Sequence, residues 1–134
     1  MTDLNILVIE DNEQNLYLMR FLLEKHGFRV ADARSGQQGL DLAERLLPDL
    51  ILLDIQLPGM DGYSVARELR KQEGQRRTPI IAVTSYAMVG DREKALSSGA
   101  TDYIEKPINP DTFVAQISKH LPPFASPDRS GGNT

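Results

Sequence analysis

The chain has 134 residues, a formal net charge of −4 and a sequence pI of about 5.1. A chain of this length builds one compact core and excludes two full domains. The acidic balance and the lack of a long basic run argue against a nucleic-acid-binding surface, and the absence of cysteine excludes disulfides, thiolate catalysis and cysteine-ligated zinc.

Five short apolar runs alternate with longer amphipathic segments along the chain. Runs that are nearly continuous in Leu, Ile and Val are typical of parallel strands buried on both faces. The second and fifth runs are more mixed in composition, which indicates positions nearer the edges of a sheet. The predicted strands cover residues 4–9, 28–33, 50–53, 80–83 and 101–105.

The segments after the first two runs have helical patterns. The apolar stripe of the first helix is formed by Leu16, Met19, Leu22 and Leu23. Gly27 is placed to end this helix. Ser35, followed three residues later by Gln38, resembles a capping box at the start of the second helix. The predicted buried face of the second helix is formed by Leu40, Ala43 and Leu47.

Three further helices are predicted after the third, fourth and fifth runs. The third follows the turn at Pro58-Gly59, and the fourth covers about residues 88–98 with Gly99 as its stop. The fifth is predicted to open at Asn109-Pro110, an N-cap residue followed by proline at the first helical position. Their predicted buried residues are Val65, Ala66 and Leu69 in the third helix, and Phe113, Ile117 and Leu121 in the fifth.

Strands and helices therefore alternate five times, which predicts an α/β protein of (βα)5 type. We expect a doubly wound parallel five-stranded sheet with the flavodoxin-like strand order 2-1-3-4-5, in which ligands bind at the carboxyl ends of the strands. The domain is expected to cover residues 1–121. Residues 122–134 are rich in Pro, Ser and Gly and are expected to be disordered, as a frayed terminus, a docking peptide or the start of a linker.

The sequence carries no signal for secretion or membrane insertion. The first residues have neither a positive region nor a long apolar region, and no run approaches 18 apolar residues. The lack of cysteine suits a reducing compartment. We therefore expect a cytoplasmic protein that does not contact a membrane.

Acidic residues gather at the predicted ends of two strands that adjoin at the switch in strand order. Glu10 and Asp11 follow the first strand and Asp54 follows the third, so these carboxylates should converge. Two carboxylates about 4 Å apart repel by about 4 kcal/mol at an effective dielectric of about 20, so the group needs protons or a cation. Oxygen ligands with an incomplete shell favour Mg²⁺. Alternatively, Asp11 and Asn12 cap the first helix, a role compatible with metal binding.

Two further polar residues, Thr84 and Lys106, follow the last two predicted strands. The complete set fits phosphoryl transfer to Asp54 as the nucleophile. Mg²⁺ and Lys106 would offset charge on the phosphoryl oxygens, and Thr84 would donate a hydrogen bond to one of them. Taken alone, Thr84 would be an ordinary strand residue or a helix cap, and Lys106 a solvated loop lysine.

Four segments appear in order at suitable spacing: VIEDN at 8–12, DIQLPGMDG at 54–62, VTSYA at 83–87 and GATDYIEKP at 99–107. These segments resemble the receiver domain of bacterial two-component response regulators, the CheY-like family, and the resemblance covers about residues 4–121. It implies a single-domain response regulator of a phosphorelay, which accepts a phosphoryl group from a phosphohistidine donor. Such a protein catalyses only its own phosphoryl transfer and dephosphorylation.

The resemblance also assigns roles at the strand ends. Asp54 is implied to be the phosphorylated residue and a ligand of Mg²⁺. Asp11 is implied to bind Mg²⁺ directly, Glu10 through water, and Gln56 through its backbone carbonyl. The phosphoryl-contacting pair matches Thr84 and Lys106.

Two further features follow from the resemblance. The Lys106–Pro107 peptide is expected to be cis. Tyr103 matches an aromatic switch position whose ring turns inward on phosphorylation, a population shift between two packings. The alternative from the residues alone is a tyrosine half-buried against a helix.

The sequence departs from the commonest family pattern at four positions. Glu10 stands where aspartate is commoner, and its longer arm is expected to bind through water. Gln56, Ser85 and Tyr86 should line the route of an attacking water and tune the lifetime of the aspartyl phosphate. Tyr86 is also placed to crowd the path of Tyr103.

The implied partners are a histidine kinase or histidine phosphotransfer domain as donor, and a downstream protein as target. Neither His26 nor His120 lies in a strand-end motif, so a phosphohistidine within this chain is not indicated. The output surface is expected on helix four, strand five and helix five, next to Tyr103. The same surface is a candidate for homodimerisation.

Three other functions compete with this one. A phosphatase with an aspartate nucleophile typically carries a second aspartate two residues later, where this chain has Gln56. A flavodoxin-type flavin binder needs a Ser/Thr/Gly-rich loop after the first strand, where residues 10–13 are acidic apart from Asn12 and would repel a phosphate. A degenerate receiver that only binds partners is disfavoured because all the marked residues are present.

Overall fold

The computed structural model describes residues 4–85 and 90–122. The predictions for Tyr86, for the start of the fourth helix near residue 88 and for the tail beyond Pro122 lie outside these residues. The strands are β1 (Asn5–Ile9), β2 (Arg29–Ala33), β3 (Leu50–Asp54), β4 (Ile80–Thr84) and β5 (Asp102–Glu105). The helices are α1 (Glu13–Lys25), α2 (Gly36–Leu46), α3 (Gly62–Lys71), α4 (Asp91–Ser97) and α5 (Phe113–Ser118), with a short 3-10 helix at Glu73–Gln75.

The five strands form one parallel sheet in the order β2-β1-β3-β4-β5, which confirms the predicted fold. Every residue of β3 and β4 is buried, because helices cover both faces of the central sheet. The mixed runs form β2 and β5, the two edge strands. Ile9 of β1 pairs with Leu53 of β3. The residues that follow them, Glu10 and Asp54, therefore lie side by side.

Alternate strand residues enter two separate cores. In β1, Ile6 and Val8 pack with residues of α1 and α5, while Leu7 and Ile9 pack with residues of α2, α3 and α4. Phe113 of α5 is fully buried in the first core. The apolar contacts on both faces fix the sheet, so side chains at its carboxyl edge start from rigid positions.

The predicted helix boundaries are confirmed where capping residues set them. Asn12 caps α1, and its Oδ1 accepts a hydrogen bond from Asn15 N at 2.9 Å. Gly27 follows the C-cap of this helix with φ 91, a left-handed conformation that glycine adopts without steric cost. Ser35 Oγ accepts from Gln38 N at 3.1 Å at the start of α2.

The prediction that Leu47 belongs to the buried face of the second helix is wrong. Leu47 is the C-cap residue of α2, has φ 48, and is 59% exposed. Pro48 disfavours a right-handed helical conformation in the residue before it, so the chain leaves the helix at this point. The predicted partners Leu40 and Ala43 are buried.

The fifth helix begins later than predicted. Its regular part starts at Phe113, one turn after the predicted opening at Asn109-Pro110. Asn109 Oδ1 accepts a hydrogen bond from Asp111 N at 2.9 Å. Its carbonyl accepts one from Phe113 N at 3.0 Å. The N-cap of α5 is therefore Thr112 and not Asn109, and Asn109 instead begins the turn that leads into the helix.

Gly62, the first residue of α3, packs directly against the loop that follows Asp54. Its N–H donates to Ile55 O at 2.9 Å. A Cβ at this position would lie 2.4 Å from Ile55 Cα and 2.6 Å from Asp54 O, so a larger residue would push the loop away.

We expect Gly62→Ala to lower the free energy of unfolding by more than Gly59→Ala. Gly59 has φ +84, but no atom lies within 4 Å of the place that a Cβ would occupy there, so its substitution costs only backbone strain, about 1 kcal/mol. Gly62→Ala adds a clash with backbone atoms that cannot rotate away. Urea unfolding of both variants measures the difference, and equal losses would contradict the steric explanation.

Candidate metal centre

Three carboxylates meet at the carboxyl edge of the sheet, at the switch in strand order. Glu10 and Asp11 directly follow β1, and Asp54 is the last residue of β3. One carboxylate oxygen from each residue lies within 4.8 Å of those from the other two. Glu10 and Asp54 are buried, with 0% and 3% exposure, whereas Asp11 is exposed. The predicted convergence is therefore present, with two acids inside and one at the mouth.

A half-buried lysine offsets part of this negative charge. Lys106 Nζ lies 3.1 Å from Glu10 Oε1 and 3.3 Å from Asp54 Oδ1, and the lysine side chain is only 9% exposed. Its backbone N–H donates to Thr84 O at 2.7 Å, which holds the residue against β4. The Lys106–Pro107 peptide is cis, as the family resemblance implied. One ammonium group for three carboxylates leaves an excess of negative charge.

Backbone amides hold the two buried carboxylates in place. Glu10 Oε2 accepts from Asn12 N at 3.1 Å, and Asp54 Oδ1 accepts from Gln56 N at 3.0 Å. The Gln56 side chain in turn accepts from Ser85 N at 3.3 Å through its Oε1. These bonds link the loops after β1, β3 and β4 around the cluster. The orientation of the carboxylates is thus set by the protein itself.

Glu10 carries an unusual pKa. Burial raises the pKa of Glu10 from its ordinary value of 4.5 to about 7, and the hydrogen bond and negative charge of Asp54 act in the same direction. The Asn12 N–H and the Lys106 ammonium lower it by less. Without a metal, the folded protein therefore holds a proton here that the unfolded chain releases near pH 4.5. This contribution to stability is fully present below about pH 4.5 and is lost as the pH rises through about 7.

The raised pKa of Glu10 predicts that a bound divalent cation displaces a proton below about pH 7. We expect the apparent Mg²⁺ affinity to rise about tenfold per pH unit up to that value and to level off above it. Titration calorimetry in buffers of different ionisation enthalpy would measure both the affinity and the proton release. Glu10→Gln, which cannot ionise, is expected to remove the pH dependence of the Mg²⁺ affinity. A Mg²⁺ affinity of the native protein that does not change with pH would contradict the assignment of this effect to Glu10.

The donor set fits a hard divalent cation. All three side chains offer carboxylate oxygens, the ligands that Mg²⁺ prefers. Glu10 Oε1 is buried and accepts no hydrogen bond within the described part of the chain, although Lys106 Nζ lies 3.1 Å away. This oxygen therefore has a charged neighbour but an incomplete set of polar contacts, which a cation or its bound water would complete.

The remaining predicted site residues lie around this cluster. Thr84 is the last residue of β4 and is buried. Tyr103 lies within β5, away from the carboxylates, and is half-buried against the second core. Burial raises the pKa of Tyr103, and the charges of Asp91 and Glu105 add to this effect. Tyr103 borders a surface hollow of about 580 Å³ between β5 and α5, which Arg92 also lines.

Two contributions to the site were missed at the sequence level. The backbone N–H of Asn12 binds Glu10, in addition to the expected capping by its side chain. The side chain of Gln56 accepts a hydrogen bond from Ser85 N. The sequence analysis predicted only that Gln56 lines the route of a water that attacks the aspartyl phosphate. The presence of Asn12 after two acids was a signal for a turn, but no local pattern indicates a contact across 29 residues.

Within residues 4–85 and 90–122, no helix has both the length and the apolar character that crossing a bilayer requires.

The strand order and the acidic cluster define a doubly wound α/β domain with a cation-binding pocket at its switch point. The chain belongs to the response regulator receiver domain family, whose model matches residues 6–118. It is therefore a signalling domain of two-component systems. This membership favours the receiver over the flavodoxin-type and phosphatase alternatives.

Individual relatives agree with this assignment. The chain is 44% identical over 117 residues to the polar-differentiation response regulator DivK of Brucella ovis, covering 87% of this chain and 95% of that protein. It is 41% identical, with a TM-score of 0.81, to the receiver domain of the sensor histidine kinase PA1611 of Pseudomonas aeruginosa, covering 88% and 97% of the two chains. That crystal structure holds a magnesium ion in its active site cleft. The chemotaxis protein CheY4 of Vibrio cholerae aligns with a TM-score of 0.86 at 25% identity, covering 90% and 100%.

Proposed function

We propose that this domain accepts a phosphoryl group on Asp54 from a phosphohistidine donor, in a reaction that requires Mg²⁺. The observation that carries the proposal is the placement of Asp54. It ends a fully buried strand, is 3% exposed, and lies beside two other carboxylates and 3.3 Å from Lys106 Nζ. A solvated surface aspartate has no use for such a placement. A nucleophilic aspartate is held by it in a fixed orientation and close to positive charge.

Four residues of this chain are proposed to hold the metal. Asp11, Asp54 and the backbone carbonyl of Gln56 would bind Mg²⁺ directly, and Glu10 would bind through water. The convergence of the three carboxylates and the magnesium ion in the related Pseudomonas receiver support this set. When bound, Mg²⁺ offsets negative charge on the phosphoryl oxygens and on the carboxylates that surround them.

The two oxygens of Asp54 take different parts in the transfer. Oδ1 accepts from Gln56 N and faces Lys106, so Oδ2 is proposed as the attacking atom. A bond forms from Oδ2 to phosphorus as the phosphorus–nitrogen bond of the donor breaks, and the bonding pair stays on the imidazole nitrogen. Lys106 and the hydroxyl of Thr84 offset charge on the equatorial oxygens.

The signal ends when the aspartyl phosphate is hydrolysed. A water that attacks phosphorus must pass the loops that carry Gln56 and Ser85, which are joined by a hydrogen bond of 3.3 Å. These side chains are proposed to set the lifetime of the phosphorylated form. The domain then catalyses only its own phosphorylation and dephosphorylation.

The signal is proposed to leave through the surface formed by α4, β5 and α5. Tyr103 lies on β5, three residues before Lys106, so a change at the site reaches it along one strand. Its half-buried ring borders the hollow beside Arg92, which leaves room for a second packing. A histidine kinase or phosphotransfer domain would be the donor, and a downstream protein or a second copy of this chain would bind the altered surface.

The proposal is tested by the mass of the intact native chain after incubation with a small-molecule phosphodonor. With Mg²⁺ we expect a gain of about 80 Da, the mass of one phosphoryl group. With excess EDTA we expect no gain, because Asp54 then lacks the cation that offsets the charge of the incoming group. A gain that is equal with and without the chelator would contradict the metal requirement.

A further inference from the structure

Two hydrogen bonds from α3 hold the C-terminal end of helix α4. There Ser98 Oγ accepts from Arg67 Nη1 at 3.1 Å, and Gly99 O accepts from Arg70 Nε at 2.9 Å. Ala95 is the one residue of α4 that is buried. At the other end, Gly90 provides no side-chain cap. Among the described residues, side-chain hydrogen bonds from α3 therefore hold the C-terminal end of this seven-residue helix.

One contact fixes the middle of α4 to α3. Lys94 Nζ lies over the ring of Tyr63, 4.5 Å from its centroid, in the geometry of a cation–π interaction. Both residues line a cleft of about 440 Å³ that also borders Thr84 and Gln56. The contact thus closes one side of the space next to the proposed phosphorylation site.

Tyr63 is itself firmly joined to the phosphorylation site. It follows Gly62, whose N–H donates to Ile55 O at 2.9 Å and whose Cα packs against the backbone after Asp54. The Tyr63 ring also packs against the second core. Tyr63 therefore connects the loop after Asp54 to Lys94 through a continuous series of contacts.

We infer that Lys94 and Tyr63 are positioning residues that hold α4 against α3 in the unphosphorylated domain, and that this contact opens when Asp54 takes up a phosphoryl group. The inference rests on the proposed function and adds to it a specific link between the site and the output surface. Removal of the contact favours the phosphorylation-competent arrangement, because that arrangement no longer has to break the interaction. An exposed cation–π pair limits the effect to about two- to fivefold.

The variants are Lys94→Met, which keeps most of the length of the side chain but removes its charge, and Tyr63→Leu, which removes the aromatic face. Each is expected to raise the rate of phosphoryl uptake from acetyl phosphate by about two- to fivefold. The double variant is expected to match the single ones, since both remove the same contact. Lys94→Arg, which restores a cation over the ring, is expected to return the native rate. Lys71→Met, which removes an exposed lysine paired with Glu68 on α3, is the control and should leave the rate unchanged.

Hydrogen exchange of the α4 amides, measured without Mg²⁺ or phosphodonor, separates this inference from the proposed function. Lys94→Met is expected to speed exchange in residues 91–97 by about two- to fivefold, and Lys71→Met is not. If the native chain takes up no phosphoryl group, the proposed function fails while the exchange result still reports on the contact. Unchanged exchange in Lys94→Met, or a phosphorylation rate that is unchanged or lower, would overturn the inference.

Discussion

Asp54→Asn is expected to abolish phosphoryl uptake completely. The amide oxygen is a far weaker nucleophile than a carboxylate, and the substitution replaces the one group that ends β3 inside the acidic cluster. After incubation with Mg²⁺ and a small phosphodonor, intact-mass spectrometry should show the native chain heavier by about 80 Da and the variant unchanged. Hydroxylamine, which cleaves acyl phosphates, should remove the added mass from the native chain.

The matched control is Asp41→Asn, which makes the same chemical change at an exposed position on α2. This variant should gain mass like the native chain. Asp54 also contributes to the raised pKa of Glu10, so Asp54→Asn should shift the pH dependence of Mg²⁺ binding toward lower pH. Uptake of a phosphoryl group by Asp54→Asn at the native rate would show that another residue is the acceptor.

Lys106→Met is expected to separate metal binding from phosphoryl transfer. The ammonium group lies 3.1 Å from Glu10 Oε1 and 3.3 Å from Asp54 Oδ1, where it neutralises part of the charge that attracts a cation. Its removal should tighten Mg²⁺ binding. The rate of phosphoryl uptake should nevertheless fall by about 10²–10³-fold, because a positioned positive group no longer faces the phosphoryl oxygens.

The loss of a positive charge between two buried carboxylates also destabilises the protein, by less than the ~3–5 kcal/mol that breaking a fully buried pair costs. The rate of phosphoryl uptake is therefore measured at saturating Mg²⁺, which offsets the charge of the two carboxylates. The Mg²⁺ affinity is measured separately by titration, and circular dichroism should confirm that the variant is folded. Lys119→Met, an exposed lysine 3.8 Å from Asp102, is the control and should change neither quantity. Weaker Mg²⁺ binding in Lys106→Met would mean that the lysine orders the carboxylates instead of competing with the cation.

The position of the site could be predicted because two kinds of local signal agree. Continuous apolar runs such as 50–53 mark strands buried on both faces, and Asp54 directly follows that run. A polar residue at the end of such a strand lies at the carboxyl edge, where parallel sheets place their ligands. The flavodoxin-like strand order expected for this domain then made neighbours of β1 and β3, and hence of Glu10 and Asp54.

The helix ends were less predictable, because apolar spacing alone does not fix where a helix stops. Leu47 continues the spacing of Leu40 and Ala43 yet is exposed, since Pro48 terminates the helix before it. Phe113 begins the regular part of α5, although the predicted capping residue, Asn109, lies four positions earlier. The end of α2 and the start of α5 are set by competition between capping residues, proline and tertiary packing.

The sequence by itself determined the fold class and the group of residues that ends up at the carboxyl edge, because periodicity and residue type are local properties of the chain. Only the tertiary structure decided the charge state of that group. It buried Glu10, left Asp11 at the surface, and brought Lys106 between Glu10 and Asp54 across 52 to 96 positions of the chain. A pKa depends on burial and on charges within a few ångströms, and both are set by contacts between distant residues that no local pattern records.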